Sequence, residues 1–342
     1  MFISLADIWT YSKKLSLKKC FNALQVWASF KVAKKTKQPI QKGYPIALSI
    51  EPTTSCNLRC PECPSGLRSF TRPTGMIKKE LFTKLVDELA PTLTYLTFYF
   101  QGEPFLHPEF LTMVKYANDQ GIYTATSTNA HYIDKTTAKK IILSGLNRVI
   151  ISLDGTTQET YEQYRLGGNI AKVLEGTKNL IEAKRKLKSK ATTIVFQYLV
   201  VKPNEHQIEE AKKLAQKIGV DEILFKTAQV YDYENGNELI PSTNKYSRYK
   251  KLPNGKYQLK RKSPIDNCWR MWQSAVITWD GDVVPCCFDK DSEHVMGNVQ
   301  HESFRDIWHN TTYTNFRRTL LRGRENIEMC KNCTEGTEIY NS

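Results

Sequence analysis

The feature that most limits the fold of this chain is an alternation of short apolar segments with longer amphipathic ones between residues 46 and 227. The short segments are rich in apolar and β-branched residues and are predicted to be strands: 46–51, 94–100, 123–128, 148–153, 193–201 and 222–227. The segments between them have helical periodicity: 79–89, 109–120, 136–144, 170–187 and 205–218. Gly121, Gly145 and Gly219 stand where glycine commonly ends a helix. Successive βα units predict an α/β fold, with a parallel sheet partly or fully closed into a barrel and ligands at the C-terminal strand ends.

Composition narrows the class of protein and raises a question about its cysteines. With 342 residues, 40% of them hydrophobic and 25% charged, the chain is expected to be globular with a substantial core. It contains no run of about 18 apolar residues, and its N-terminus lacks the layout of a secretory signal. We therefore expect a cytoplasmic location, where thiols stay reduced and the nine cysteines are not a disulfide framework.

Three of these cysteines, Cys56, Cys60 and Cys63, come directly after the first predicted strand. Their C-x3-C-x2-C spacing can ligate three irons of a cubane and leave the fourth iron without a protein ligand. Structural zinc is the alternative, but it usually needs four ligands, and no nearby histidine completes this set. The position at a strand end is where a barrel of this kind places its site.

This triplet resembles the signature of the radical S-adenosylmethionine (radical SAM) enzymes, and the order of motifs is similar to theirs over about residues 45–230. The resemblance implies a partial (β/α)6 barrel with a 4Fe–4S cluster on the triplet and S-adenosylmethionine at the open iron. One electron would cleave S-adenosylmethionine to methionine and a 5′-deoxyadenosyl radical, which takes a hydrogen atom from the substrate. The resemblance also implies an electron donor such as flavodoxin or ferredoxin.

Motifs at later strand ends are similar to the cofactor contacts of that family. The tetrapeptide at residues 101–104, QGEP, resembles its Gly-Gly-Glu-Pro motif, with Gln101 in place of the first glycine. The resemblance predicts cofactor-binding roles for Gln101, Gly102, Glu103, Asn129, Ser152, Asp154 and Arg165. Short polar side chains at strand ends also cap helices, and an arginine is often a solvated charge, so these alternatives stay open. Gln197 and Lys226, on the fifth and sixth strands, are weaker candidates, because a strand lysine more often faces outward.

A second group of cysteines lies near the C-terminus, where Cys268 is followed by Cys286, Cys287, Cys330 and Cys333. Four cysteines suffice for another 4Fe–4S cluster, although a site with a C-x2-C pair also suits a zinc ribbon. The C-x12-G-x4-C spacing resembles the start of the SPASM extension of radical SAM enzymes, and Asp280 and Gly281 would form the turn of its hairpin.

The extension is shorter than a full SPASM domain and resembles the single-cluster "twitch" form. That resemblance assigns one auxiliary 4Fe–4S cluster to Cys268, Cys286, Cys330 and Cys333, with Cys287 as a spare thiol that could exchange with Cys286. Four protein ligands leave no iron open for substrate, which favours electron transfer. Cys20 is interpreted as a small apolar residue on a helix.

The formal net charge of +14 is concentrated in two segments. Residues 1–43 contain nine lysines and one acid, Asp7, within an amphipathic helix predicted over residues 2–30. This segment suits peripheral contact with an anionic membrane at its inner surface, or a helix packed on the barrel. Residues 245–262 contain eight basic residues and no acid, and are expected to form a loop that closes over an anionic substrate, or a solvated linker. Nucleic acid is a less favoured partner, because no nucleic-acid-binding module is recognisable.

These patterns divide the chain into four predicted parts: a basic helical segment at 1–44, a radical SAM core at 45–235, a basic linker at 236–265 and an auxiliary cluster domain at 266–342. The predicted function is oxidation, or another radical transformation, of an anionic small molecule. A peptide-modifying maturase is the enzymatic alternative, and a non-catalytic zinc-binding module is the alternative of a different class.

Overall fold

The computed structural model describes residues 5–260 and 268–334, and one nine-stranded sheet is its centre. The strands β1–β6 are parallel and stand in chain order, as the predicted barrel core requires. The eleven strands in these ranges are β1 Ala47–Ile50, β2 Tyr95–Thr97, β3 Tyr123–Thr128, β4 Arg148–Ser152, β5 Thr193–Val200, β6 Glu222–Thr227, β7 Tyr249–Lys251, β8 Tyr257–Leu259, β9 Ser274–Ile277, β10 Asp282–Val284 and β11 Gly297–Asn298.

Helices connect the parallel strands. The α-helices in the described ranges are α1 Leu5–Ser12, α2 Leu17–Thr36, α3 Pro64–Leu67, α4 Lys79–Leu89, α5 Phe110–Asp119, α6 Lys135–Leu143, α7 Gln158–Tyr164, α8 Ile170–Lys186, α9 Ile208–Ile218, α10 Arg270–Gln273, α11 Phe304–His309, α12 Thr311–Arg322 and α13 Glu328–Lys331. The five helices predicted in the core are α4, α5, α6, α8 and α9, whereas α7 was not predicted. Gly121, Gly145 and Gly219 have φ of 72°, 75° and 86°, the left-handed conformation expected after a helix. None of these described helices is long and apolar enough to span a membrane.

The hydrophobic core lies between the sheet and the helices that cover it. Strand residues Leu48, Val149 and Phe196 are buried in it, together with Phe82 of α4 and Val173 of α8. Trp272 and Trp308 of the C-terminal part belong to the same cluster of buried residues. The C-terminal part therefore shares the core of the barrel.

The C-terminal part continues the sheet beyond β1. Strand β9 runs parallel to β1, with Ala47 opposite Ser274 and Ile50 opposite Ile277. Strands β10 and β11 then add antiparallel, and the predicted turn is present, with Gly281 at a φ of 90°. Because β9 occupies the second edge of β1, β1 and β6 are not neighbours in the described sheet and the barrel is open.

The N-terminal segment forms two helices, so the prediction of one helix over residues 2–30 is wrong. The chain breaks before α2 because Ser16 adopts an extended conformation and its hydroxyl accepts a hydrogen bond from the Lys19 N–H at 3.3 Å. Helix α1 packs at the N-terminal ends of the strands, where the buried Asp7 carboxylate pairs with Arg148 of β4.

The basic segment at residues 245–262, expected to be a loop, contains the antiparallel hairpin β7–β8. The Tyr249 hydroxyl accepts a hydrogen bond from the Val230 N–H at 2.9 Å and so ties the hairpin to the chain after β6. Lys250 and Lys251 are exposed, and the Lys260 ammonium donates to the carbonyl groups of Asn244 and Ser247. The last two basic residues of the segment, at positions 261 and 262, lie outside the described residues.

Candidate active site

The first three cysteines lie in the loop between β1 and α3, at the C-terminal end of the parallel strands. They line one cleft with residues from the ends of β2, β3 and β4, as the order of the motifs predicts. The cleft is lined by Cys56, Leu58, Cys60, Cys63, Ser65, Gly66, Tyr99, Phe100, Gly102, Glu103, Ser127, Thr128, Asn129, Ser152 and Arg165. Five of the seven predicted cofactor-binding residues are therefore together in this cleft.

The environment of these thiols suits a positively charged cluster. Burial, with smaller effects of Glu103 and the neighbouring thiols, raises the pKa of Cys56 to about 11. Burial also raises the pKa of Cys60, against the effect of Arg165, whose Nη1 lies 3.5 Å from the Cys60 Sγ. The Leu58 N–H donates to the Cys56 Sγ at 3.4 Å. Cys60 is buried, and Cys56 and Cys63 are half-buried. Thiolates placed together in this way repel one another, so they are a fitting ligand set for iron, because a cation removes that repulsion.

Gly102 allows the loop after β2 to approach the loop that carries the cysteines. Its φ is 74°, and a Cβ at this position would lie 2.1 Å from the Thr53 carbonyl oxygen. The Gly102 N–H donates to the Ser65 Oγ at 2.9 Å. The preceding Gln101, which replaces the family's first glycine, is buried, with its Oε1 3.7 Å from the Cys63 Sγ.

We predict that Gly102→Ala destabilises the protein strongly. The left-handed conformation costs about 1–3 kcal/mol for a residue with a side chain, and the contact with Thr53 adds to that cost. Gly219→Ala is the matched control, because its φ is 86° and no atom lies within 4 Å of an added Cβ. Thermal unfolding of the two variants measures the difference, and equal loss of stability would show that the close approach at Gly102 does not exist.

Glu103 is buried and its carboxylate is held from three sides. The Thr128 hydroxyl donates to it at 2.7 Å, the Asn129 N–H at 2.8 Å and the Phe105 N–H at 3.2 Å. Burial raises its pKa, and these hydrogen bonds lower it. A carboxylate has acceptor positions for about four hydrogen bonds, so the predicted contact with the ammonium group of S-adenosylmethionine remains available to it.

Asp154 lies behind the cleft, and its contacts position Arg165. Its Oδ2 is 2.5 Å from the Arg165 Nε, and its Oδ1 accepts a hydrogen bond from the Leu199 N–H at 2.6 Å. Burial lowers the pKa of Arg165, but Asp154 and the neighbouring thiol of Cys60 outweigh it, so the guanidinium pKa lies well above its usual value. Arg165 therefore brings a fixed positive charge to the cleft, whereas a direct contact between Asp154 and the cofactor stays a prediction.

The second group of cysteines also converges. Cys268, Cys286, Cys330 and Cys333 line a single pocket, together with Arg270, Met271, Phe288, Leu320, Arg324 and Met329. Cys287 instead packs against Phe100, Val276 and Val284 of the barrel. A hydrogen bond with Cys287, together with burial, raises the pKa of Cys286 well above its usual value. The four thiols in the pocket are the four assigned to the auxiliary cluster, and their ligation stays a prediction.

A cluster of basic side chains inside the barrel was largely missed by sequence reasoning. On β6, Ile223 and Phe225 pack toward Ile208 of α9, on the outside of the sheet. Because successive side chains of a strand point to opposite faces, Lys226 points to the interior of the barrel. The Lys226 side chain is accessible to solvent, as expected inside an open barrel. Burial and the charges of Arg270 and Arg248 lower its pKa. The packing of Ile223 and Phe225 against a helix is the signal that could have revealed it.

The three members of this interior basic cluster, Lys226, Arg248 and Arg270, come from different parts of the chain. The Arg248 Nε donates to the Thr227 carbonyl at 3.2 Å, but its Nη1 is buried and has no hydrogen-bond partner in the described part of the chain. Burial lowers the pKa of Arg248, while Tyr249 and the thiols of Cys333 and Cys287 raise it. Arg270 lines the auxiliary pocket. The cluster therefore adjoins the auxiliary pocket.

A separate groove of about 520 Å³ opens beside α3 and α13. It is lined by Pro64, Leu67, Ser69, Gln229, Tyr231, Asp232, Tyr233, Glu234, Asn235, Phe288, Asp289, Lys290, Asp291, Glu293, Glu328, Met329, Lys331 and Asn332. Six carboxylates and two lysines give this groove a negative charge, in contrast to the interior of the barrel.

Comparison with known proteins agrees with this arrangement of two cysteine sites. Residues 50–215 match the radical SAM superfamily, and residues 268–334 match the SPASM iron–sulfur cluster-binding domain. The chain belongs to the radical SAM superfamily and is an enzyme of that class. More particularly, it is a radical SAM enzyme with a C-terminal SPASM domain, and its cofactors are a 4Fe–4S cluster, S-adenosylmethionine and an auxiliary iron–sulfur cluster.

A curated relative is the tungsten-containing aldehyde ferredoxin oxidoreductase cofactor-modifying protein of Pyrococcus furiosus, which is 29% identical over 300 residues, or 79% of this chain and 82% of the relative. The crystal structure of BtrN in complex with AdoMet and 2-DOIA is similar with a TM-score of 0.53 and 19% identity, over 87% of this chain and 95% of BtrN. Streptococcus suis SuiB bound to its precursor peptide SuiA is similar with a TM-score of 0.62 and 14% identity, over 88% and 73% of the two chains. These structures share the fold of this chain.

Proposed function

We propose that this enzyme oxidises an anionic small molecule that binds inside the barrel, between the cleft and the auxiliary pocket. The observation that carries the proposal is the interior basic cluster. Tyr99 links it to the cleft, because Tyr99 lines the cleft and lies near both Arg270 and Cys287. A substrate held by these cations would be between the two cysteine sites.

In this proposal, Cys56, Cys60 and Cys63 hold the cluster of the cleft. Glu103, Asn129, Ser152 and Arg165 bind S-adenosylmethionine, with Gly102 and Gln101 shaping that side of the cleft. When bound, the cluster and S-adenosylmethionine supply a 5′-deoxyadenosyl radical that removes a hydrogen atom from the substrate. The electron comes from a donor such as flavodoxin or ferredoxin.

The auxiliary pocket is the reason for proposing that the substrate is oxidised. Four thiols, of Cys268, Cys286, Cys330 and Cys333, complete the coordination of a 4Fe–4S cluster and leave no iron open for substrate. A closed site of this kind favours a role in accepting an electron over a role in anchoring substrate. Net oxidation requires such an acceptor, whereas a redox-neutral rearrangement does not.

The charge of the substrate follows from the electrostatics of the cluster. The charges of Arg270 and Arg248 disfavour the protonated form of Lys226. The buried Arg248 Nη1 also has no hydrogen-bond partner within the described residues. A carboxylate or phosphate group would offset these positive charges and accept charge-assisted hydrogen bonds from the guanidinium groups. A neutral or cationic substrate would do neither.

The proposal can be tested without knowing the substrate. Small molecules extracted from source cells grown in D2O are separated by charge and incubated anaerobically with the reduced holoenzyme and unlabelled S-adenosylmethionine. We expect deuterium in 5′-deoxyadenosine from a fraction retained on an anion exchanger. Deuterium transfer only from cationic or neutral fractions would contradict an anionic substrate.

We predict that Lys226→Met raises the substrate concentration required for half-maximal deuterium transfer by about 10-fold or more, because a hydrogen bond to a charged group is worth about 1.5–3 kcal/mol. The maximal rate should change less than this concentration does. The double variant Lys250→Met and Lys251→Met is the control, because both side chains are exposed on β7. An effect of the control as large as that of Lys226→Met would move the anion site to the outer hairpin.

A peptide substrate is the second candidate, and the negatively charged groove is the observation that favours it. The groove is bounded by α3, which directly follows Cys63, and by Phe288 and Met329, which also line the auxiliary pocket. It could hold a basic peptide segment whose end reaches the barrel. In the same experiment, this candidate requires that the active fraction be macromolecular and lose activity after protease treatment.

A further inference from the structure

The outer face of α2 carries a stripe of exposed apolar side chains, whereas its inner face is mixed. Val26, Phe30 and Ala33 pack into the hydrophobic core. The other buried residues of the helix, Lys19, Asn22 and Ser29, are polar. Large apolar side chains point outward one above another: Leu17, Phe21, Leu24 and Trp27 are exposed by 91%, 62%, 58% and 51%. Their spacing of three or four residues places them on one stripe. Apolar side chains on the exposed face and three polar ones among the buried residues make the helix partly inverted relative to the usual amphipathic helix of a globular protein.

Helix α1 has the same inverted arrangement. Its Asp7 is fully buried, whereas Leu5, Ile8 and Trp9 are exposed by 85%, 46% and 63%. The connection to α2 adds the exposed Leu15. The two helices therefore present an outer apolar face, defined by Leu5, Ile8, Trp9, Leu15, Leu17, Phe21, Leu24 and Trp27.

Polar contacts with the barrel fix this orientation. The Lys19 ammonium donates to the Gly121 carbonyl at 2.6 Å, and the Lys14 ammonium donates to the Asn118 carbonyl at 3.0 Å. The Asn22 side chain exchanges hydrogen bonds with the backbone of Tyr44 at 2.8 and 2.9 Å. Turning the apolar stripe inward would break these bonds and bury polar groups without partners. The apolar residues are thus held outward by specific interactions.

Lysines flank the outer apolar face and make it electropositive. Lys13, Lys18, Lys31, Lys34 and Lys35 are exposed. The Lys13 ammonium lies 4.9 Å from the ring centre of Trp9, and that of Lys31 lies 5.5 Å from the ring centre of Trp27. The one acid of this segment, Asp7, is buried in its pair with Arg148, so the exposed surface has no compensating carboxylate within the described residues of α1 and α2.

We propose that α1 and α2 bind the surface of an anionic lipid bilayer, with the outer apolar face in the interfacial region and the lysines at the phosphate groups. Tryptophan, phenylalanine and leucine flanked by lysine is the composition of helices that lie in a membrane interface. Lysines near an anionic surface contribute about 1 kcal/mol each. A polar protein partner would not use the apolar stripe, and nucleic acid would use only the lysines.

The test is flotation of the holoenzyme with two kinds of vesicle. One contains only phosphatidylcholine, and the other contains phosphatidylcholine with about one third of the anionic lipid phosphatidylglycerol. The protein should float with the anionic vesicles, bind neutral ones at least about 10-fold more weakly, and lose affinity as salt increases. Trp9 and Trp27 should show a blue shift of their fluorescence on binding. The proposal would be overturned if the protein did not float with anionic vesicles. It would also be overturned if the protein floated equally well with neutral and anionic vesicles.

Two variant sets separate lipid binding from other uses of this face. Replacing Phe21, Leu24 and Trp27 with serine should reduce binding at least about 10-fold, because each removed side chain loses about 1.5–3 kcal/mol of burial. The control carries serine at three exposed apolar positions elsewhere: Leu143→Ser, Leu187→Ser and Val295→Ser. It should bind anionic vesicles as tightly as the unchanged protein does. Cleavage of S-adenosylmethionine in solution verifies that each variant is folded. A protein dimer that depends on Phe21 and persists with vesicles present would instead assign the face to a second copy of the chain.

Discussion

Replacing Cys56, Cys60 and Cys63 with alanine is expected to abolish reductive cleavage of S-adenosylmethionine. The three thiols line one cleft with Glu103 and Arg165, and burial has raised the pKa of Cys56 and Cys60, so thiolates there are stable chiefly as metal ligands. After anaerobic reconstitution, iron should fall from about eight to about four atoms per chain, as expected for the loss of one cubane. The measurement is the yield of 5′-deoxyadenosine with a strong reductant, which should fall below detection.

Cys20→Ala is the matched control, because Cys20 is an exposed thiol on α2, at the opposite end of the barrel strands from the cleft. It should retain the iron content and cleavage yield of the unchanged enzyme. Undiminished 5′-deoxyadenosine from the triple variant would refute this assignment of the cleft. Stoichiometric zinc without sulfide in the unchanged protein would instead support the zinc-binding alternative.

Replacing Cys268 and Cys330 with alanine is expected to separate cofactor cleavage from product formation. Both residues line the auxiliary pocket, which has its own ligand set and is apart from the cleft that holds the first three cysteines. The variant should still produce 5′-deoxyadenosine but should release no oxidised product, because the electron from the substrate has no acceptor. Iron should again fall to about four atoms per chain.

Cys287→Ala provides a control at the neighbouring position. Its side chain packs against Phe100, Val276 and Val284 and is not among the residues that line the auxiliary pocket. It should therefore keep about eight irons per chain. If Cys287→Ala loses iron while Cys286→Ala keeps it, the two residues must be exchanged in the assignment. Full turnover by the variant at Cys268 and Cys330 would refute the electron-accepting role.

Local patterns in the sequence were sufficient to predict the barrel core and the two cysteine groups. Each of the strands β1–β6 lies in a short segment rich in apolar or β-branched residues. Glycines such as Gly145 follow helices at positions with a left-handed conformation. The convergence of Cys56 with Glu103 followed from their places after β1 and β2, because parallel strands bring their C-terminal ends to one side of the sheet.

Other features depend on partners distant in the chain and could not be predicted. Strand β9 pairs with β1 across more than 200 residues, and no local pattern in 274–277 specifies that neighbour. The N-terminal helices were recognised as amphipathic, but the direction of their faces depends on the Gly121 carbonyl and on Arg148. Lys226 was only a weak candidate for the barrel interior, because its inward direction depends on the packing of Phe225 against α9.

The pairing of β1 with β9 has a consequence for electron movement. The backbone of Glu51, which begins the loop to the first cysteines, donates to the Ile277 carbonyl at 2.9 Å, and the Ile46 N–H donates to the Gln273 carbonyl at 2.9 Å. This ladder joins the segment before Cys56 to the segment after Cys268 with little freedom to slide. In the proposed function, an electron passes from the substrate to the auxiliary cluster, and its tunnelling rate would fall steeply with distance. A ladder that fixes the spacing of the two cysteine sites would hold that distance, while side chains inside the barrel change the substrate preference.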